Sequence, residues 1–121
     1  MAVRYNEEKG FYLDYSILID TKKDIEEIAS NLCNSQNHQR ILREIQKGKD
    51  LGAKEFIFLI NGGKVKTIED LKNWTSKRTK VKGETLLKIM RTMKDKYGVR
   101  FIIVPKKNMG EMIIKLLGVR E

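Results

Sequence analysis

Ile17-Leu18-Ile19-Asp20-Thr21-Lys22-Lys23-Asp24-Ile25 joins an apolar run to an acid, a lysine two positions on, and a second acid that opens an amphipathic pattern. Upstream, Phe11 to Asp20 is aromatic and β-branched and reads as a buried strand closing on Ile17-Leu18-Ile19. Downstream, Ile25, Ile28, Ala29 and Leu32 recur at helical spacing, so a helix starts at Asp24 and ends near Asn34. A strand running into a helix is the first half of an α/β unit.

The rest of the chain repeats that alternation. After a short break at Cys33 to Asn37, a second helix turns Ile41, Leu42 and Ile45 inward and stops at Gly52. Phe56-Ile57-Phe58-Leu59-Ile60, closed by Asn61-Gly62-Gly63, reads as a central strand. Thr67 and Asp70 have the spacing of a capping box and open a short helix to about Trp74. From Gly83, Leu86, Met90, Met93 and Tyr97 form the stripe of a third helix ending at Gly98. Phe101 to Val104 is a strand stopped by Pro105, and Asn108 caps a last helix carrying Met109, Met112, Ile113, Leu116 and Leu117 inward. Helices alternating with strands predict an α/β layer fold with parallel strands in the middle.

With 121 residues the chain has room for one domain. Its 25 Lys and Arg against 16 Asp and Glu leave a net charge of +9, which suits a polyanionic partner, nucleic acid or an acidic membrane surface. A membrane-surface role lacks its usual helix, one with a lysine-rich face opposite Trp or Phe, and no apolar run approaches the ~18 residues of a membrane span. Neither a signal peptide nor a membrane partner is expected, and the single cysteine, Cys33, suits a reduced thiol in a cytoplasmic protein. One histidine and no Gly-rich phosphate loop leave catalytic triads, zinc hydrolases, Walker sites and dinucleotide folds without their parts.

Carboxylates and lysines remain. Side chains on a strand alternate, so Asp20 and Lys22 project to one face. A carboxylate can hold a divalent cation, and a neighbouring ammonium can support an attacking water or the pentavalent phosphorus, which is hydrolytic nuclease chemistry. The same acid-x-lysine pattern at Glu7-Glu8-Lys9 and at Asp70-Leu71-Lys72 reads as solvated surface, and strand context singles out Asp20. Arg40, Glu44 and Lys47 share one face of the second helix, with Arg43 beside them, either to serve that site or to pair among themselves.

The chain resembles the XPF-type nuclease domain of the PD-(D/E)xK restriction-endonuclease-like superfamily, in the small single-domain form of phage and prophage genomes. The resemblance spans about Ile17 to Leu117. Ile19-Asp20-Thr21-Lys22-Lys23-Asp24-Ile25 is similar to the family's acid-x-lysine strand, and Asn37-His38-Gln39-Arg40 with Glu44 and Gly52 to its next helix. Phe56 to Ile60 is similar to the following strand, Lys82-Gly83-Glu84-Thr85-Leu86 through Phe101 to the later helix and strand, and Trp74 also has a counterpart. The resemblance implies a three-layer fold with a mixed central sheet flanked by helices. It also implies a DNA endonuclease dependent on Mg²⁺ or Mn²⁺, working in a bacterial host's cytoplasm on DNA that includes branched or flap forms. Asp20 would bind the metal, Lys22 would support the nucleophile, and Arg40 and Glu44 would position phosphate or metal.

The family's first strand and helix, and its Gly-Asp-Tyr segment with the first metal ligand, have no match in the nineteen residues before Asp20. That ligand would be Asp14 or Glu8. Asp14 in one unbroken strand would lie about 20 Å from Asp20, so it serves only if the chain turns between them, whereas Glu8 can reach across a hairpin around Lys9-Gly10. The domain is then a minimal nuclease, a nuclease completed by a homodimer partner, or a disused nuclease fold that grips nucleic acid or a host defence protein as an anti-defence inhibitor.

The loop Lys77, Arg78, Lys80 and Lys82, ahead of the helix at Gly83, reads as a phosphate-tracking segment or as a solubilising one. With parallel strands, Lys106 and Lys107 would share the sheet's carboxyl edge. Trp74 reads as a core anchor, and His38 as a donor behind a metal-bound water or a cap for its own helix.

Overall fold

The computed structural model describes the backbone of residues 2–6, 10–14 and 17–117, and the side chains of residues 17–117. It is a mixed α/β structure whose sheet holds three parallel strands in the order β3 (Ile17–Lys22), β4 (Glu55–Asn61) and β5 (Arg100–Val104). A separate antiparallel pair, β1 (Ala2–Asn6) and β2 (Gly10–Asp14), precedes it, with Asn6 opposite Gly10 as the hairpin reading expects. Among the described residues antiparallel strand pairing is confined to that hairpin.

The predicted strand from Phe11 to Asp20 is therefore two strands. β2 ends at Asp14 and β3 begins at Ile17, so Asp14 and Asp20 do not share one extended run. Ile17, Leu18 and Ile19 are half-buried because β3 has one neighbour in this sheet, whereas Ile57, Phe58, Leu59 and Ile60 of β4 lie between two strands with no exposure.

Register sorts the faces. Leu18, Asp20 and Lys22 stand opposite Phe56, Phe58 and Ile60, which in turn stand beside Phe101 and Ile103 on β5. Onto this face pack α1 (Ile25–Cys33), α2 (Ser35–Asp50) and α3 (Gly83–Tyr97), contributing Ile28, Leu32, Ile41, Ile45, Leu86 and Met93 to one core around Phe58. Phe58 stacks on Phe101 at 5.3 Å. α4 (Met109–Leu117) returns against β4, and none of its side chains joins that cluster.

Caps set the helix limits. Asp24 accepts from the Glu27 amide at 2.8 Å. The break after α1 is the single residue Asn34, shorter than the expected Cys33 to Asn37 gap, because its side chain accepts from the Asn37 amide at 3.1 Å and starts α2 at once. His38 caps α1 and not its own helix, its Nδ1 donating to the Leu32 carbonyl at 3.1 Å. Thr67 and Asp70 exchange the two bonds of a capping box, at 3.2 and 3.3 Å, ahead of a 3-10 turn, Glu69–Asn73. Gly98 ends α3 in the left-handed conformation at φ 68°.

Candidate functional site

Both β3 and β4 end at the same edge, the carboxyl edge where ligands of parallel α/β sheets bind, and a cleft between the loops after them is lined by Asp24, Glu26, Asn61, Gly62 and Trp74 but by neither Asp20 nor Lys22. Asp20 and Lys22 occupy the helix-facing side of β3 at this end. Their side chains meet, with Lys22 Nζ 3.1 Å from Asp20 Oδ2. The lysine side chain is 9% exposed and the aspartate 33%, and the ammonium lies 5.7 Å from the centroid of the Phe58 ring. An ammonium taken this far from water is held by the carboxylate and the ring face together. Asp20 keeps one open side.

α2 lies antiparallel to the strands: its Gly48 sits against Leu18 and Phe56 near the start of β3, and the chain reverses from Asp50 into β4 at Glu55. Arg40 and Glu44 are thus at the end of α2 nearer Asp20. They form a loose exposed pair, 4.0 Å apart, and neither touches Asp20 or Lys22. Arg43 and Lys47 are exposed on the same helix. Glu8 lies outside the described residues, as does the side chain of Asp14, whose backbone pairs with Ala2 at the end of β2. No three side chains of His, Cys, Asp or Glu gather into a metal-binding group among the described residues. Asp20 nevertheless suits a hard cation, since Mg²⁺ keeps several waters and takes oxygen from one or two carboxylates and a substrate phosphate.

Asp70, in the second acid-x-lysine pattern, is occupied as a cap, and Leu71 between it and Lys72 is fully buried. Asp70 and Lys72 are both exposed, the solvated surface that the sequence predicts. Trp74 is half-buried against the core.

The basic loop is tethered. Glu26, near the start of α1, accepts from Ser76 Oγ and from the Lys77 amide, both at 2.6 Å. Ser76 Oγ in turn accepts from the amides of Arg78 and Thr79, and Thr75 bridges to Lys82. Lys77, Arg78, Lys80 and Lys82 consequently project from an ordered turn and remain exposed. Sequence reading missed Glu26, since nothing local marks a carboxylate whose partners lie 50 and 51 residues away.

The hydrogen bond from Ser76 holds the Glu26 carboxyl below its usual range, with the Lys77 amide and the Arg78 and Lys77 charges acting the same way against desolvation. A depressed carboxylate stabilises the fold above its ordinary value of 4.5, and that contribution fades as pH falls through the lower folded value. At pH 7, Glu26→Ala should make the Lys77 to Lys82 segment about tenfold more sensitive to trypsin, the loss of at least one charge-assisted bond. Equal cleavage rates in both proteins would contradict the tether.

Cys33 is a free thiol pushed up in pKa by burial, which disfavours a nucleophilic role. No helix among the described residues is long and apolar enough to cross a membrane. No protein-family model, curated protein or solved structure matches this chain.

Proposed function

We propose that this chain is a metal-dependent DNA endonuclease on a three-layer, restriction-endonuclease-like scaffold, encoded by a phage or prophage and acting in the bacterial cytoplasm. The observation that carries the reading is the 3.1 Å contact of Asp20 and Lys22 on the inner face of β3, at the carboxyl edge of a parallel sheet. Two oppositely charged groups side by side, one withdrawn from water, form a costly arrangement for mere surface charge.

In this reading Asp20 and either Glu8 or Asp14 hold Mg²⁺ or Mn²⁺. The ion, when bound, would offset the charge that develops on the scissile phosphodiester. Lys22 holds its proton toward the attacking water or a phosphate oxygen, and its burial fixes the direction of that bond. Arg40 takes a phosphate, with Glu44 orienting it through their pair. Arg43, Lys47, the 77–82 turn and Lys106 and Lys107 beyond β5 track the backbone of the DNA.

The test is cleavage of labelled branched, duplex and single-stranded DNA in Mg²⁺, Mn²⁺ or EDTA, by the wild type, Asp20→Ala and Lys22→Ala. Metal-dependent cutting lost in both variants is expected. Binding without cutting on every substrate, unchanged by either substitution, would instead favour a non-catalytic protein that grips nucleic acid or a host defence protein. One specific observation leans that way: Glu44 is turned to Arg40 and adds no second carboxylate to Asp20.

A further inference from the structure

β5 is the last strand of its sheet. No described strand pairs with its outer side, and Arg100, Phe101, Ile102 and Ile103 make no backbone hydrogen bond to a loop among the described residues. A free edge of this kind is a row of unpaired N–H and C=O groups, a template for one more strand. Phe101, Ile102 and Ile103 are half-buried, whereas Phe58, Leu59 and Ile60, their register partners on β4, have no exposure.

A groove of about 340 Å³ follows this edge. Arg100, Phe101 and Ile102 all line it, although side chains of consecutive strand residues alternate between the two faces, so the groove runs along the side of the strand and not over one face. Leu87 and Met90 of α3, both buried, and the half-buried Ile68 give it an apolar wall. Arg91, Lys94 and Arg100 place three positive charges around it. Glu69, which also lines the groove, is held by Arg91 at 3.2 Å, and Arg100 reaches Glu55 at 3.4 Å. Lys94 has no ion pair among the described residues.

These features select the occupant. Nucleic acid brings negative charge but no alternating N–H and C=O groups to meet a strand edge. A second copy brings such an edge, but pairing β5 with its own symmetry mate would crowd Arg91, Lys94 and Arg100 of both copies together in a chain of net charge +9. An extended peptide whose apolar and acidic side chains alternate satisfies the backbone edge, the apolar wall and the cations at once.

We infer that β5 accepts an extended acidic peptide as an added strand, its apolar side chains against Leu87, Met90 and Phe101 and its carboxylates beside Lys94 and Arg100. The surface is separate from the Asp20–Lys22 pair, and the inference does not depend on DNA cleavage.

The test titrates the full chain with a short capped peptide of alternating valine and glutamate, followed by amide NMR and hydrogen exchange. Its counterparts carry lysine in place of glutamate, or the original side chains with every amide N-methylated, which keeps the charge but removes the donors. The glutamate peptide is expected to shift the amides of residues 100–103 and to slow the exchange of those facing outward. It should bind about tenfold more tightly than the lysine peptide, the product of three exposed charge pairs worth about twofold each. N-methylation should weaken it at least about tenfold, since main-chain bonds carry the affinity of an added strand. Lys94→Glu, at an exposed position, should cut the glutamate preference from about tenfold to about twofold.

Unmoved β5 amides, equal affinity for the glutamate and lysine peptides, or full binding by the N-methylated peptide would overturn the inference. Outward β5 amides already protected in the free chain, with sedimentation showing a dimer, would give the edge to a second copy instead. A DNA duplex that displaces the peptide from β5 would assign the basic rim to nucleic acid and overturn the peptide reading.

Discussion

Lys22→Met should lower the rate of DNA cleavage at least about a hundredfold, the scale of a positioned proton-transfer or charge-stabilising group, while leaving the protein folded. Methionine keeps the length and apolar body of lysine, so the packing against Phe58 survives, and the change removes little besides the ammonium. Asp20, with a 33% exposed side chain, can rehydrate when its partner is lost, which limits the cost that an abandoned buried charge would impose. Stability should change by about 1 kcal/mol or less. Lys22→Arg keeps the charge but not the point geometry, and should recover only part of the rate. Thermal denaturation beside single-turnover cleavage measures both quantities. A variant that cuts within threefold of the wild type would remove Lys22 from the chemistry and return the Asp20–Lys22 contact to a structural ion pair.

Gly83→Ala should be the most damaging single-methyl change in the described chain. Gly83 is the first residue of α3, and its amide donates to the Trp74 carbonyl at 2.7 Å. A Cβ there would overlap the carbonyl oxygen of Leu71 and come within 2.7 Å of the Trp74 oxygen. Both are backbone atoms and cannot rotate aside, so relief requires α3 to lift from the 3-10 turn. That motion would part Leu71 from Leu86, each fully buried. A loss of about 3–4 kcal/mol is expected, and with it a fall in melting temperature of about 10–20 °C. Gly110→Ala is the matched control, since nothing lies within 4 Å of its Cβ position in α4. Helix propensity alone should make that change neutral to stabilising by up to about 1 kcal/mol. Similar melting temperatures for the two variants would refute the close approach at Gly83.

Much of the local structure is written in the order of residues. The stripes Ile25-Ile28-Ala29-Leu32 and Leu86-Met90-Met93, the cap at Asp24, the capping box at Thr67 and the stop at Gly98 each depend on neighbours within a turn or two, so periodicity and cap chemistry locate them. The Asp20–Lys22 contact was legible for the same reason, because alternation on a strand puts positions two apart on one face.

Tertiary packing decided the rest. Phe56 to Ile60 reads as central and is central in β4, but the equally apolar Ile17 to Ile19 reads as buried and is left half-covered, because only the sheet order shows that β3 has one neighbour there. Glu26 looks like an ordinary first-turn acid until the chain returns 50 residues later with Ser76, and Gly83 like a helix start until Leu71 arrives against it. Asn31 occupies a helical position of no note in sequence; only packing leaves its side-chain oxygen buried without a partner. Sequence thus determined what depends on spacing along the backbone. Burial, close approach and unmet polarity arise between segments distant in the chain, and only the folded structure sets those distances.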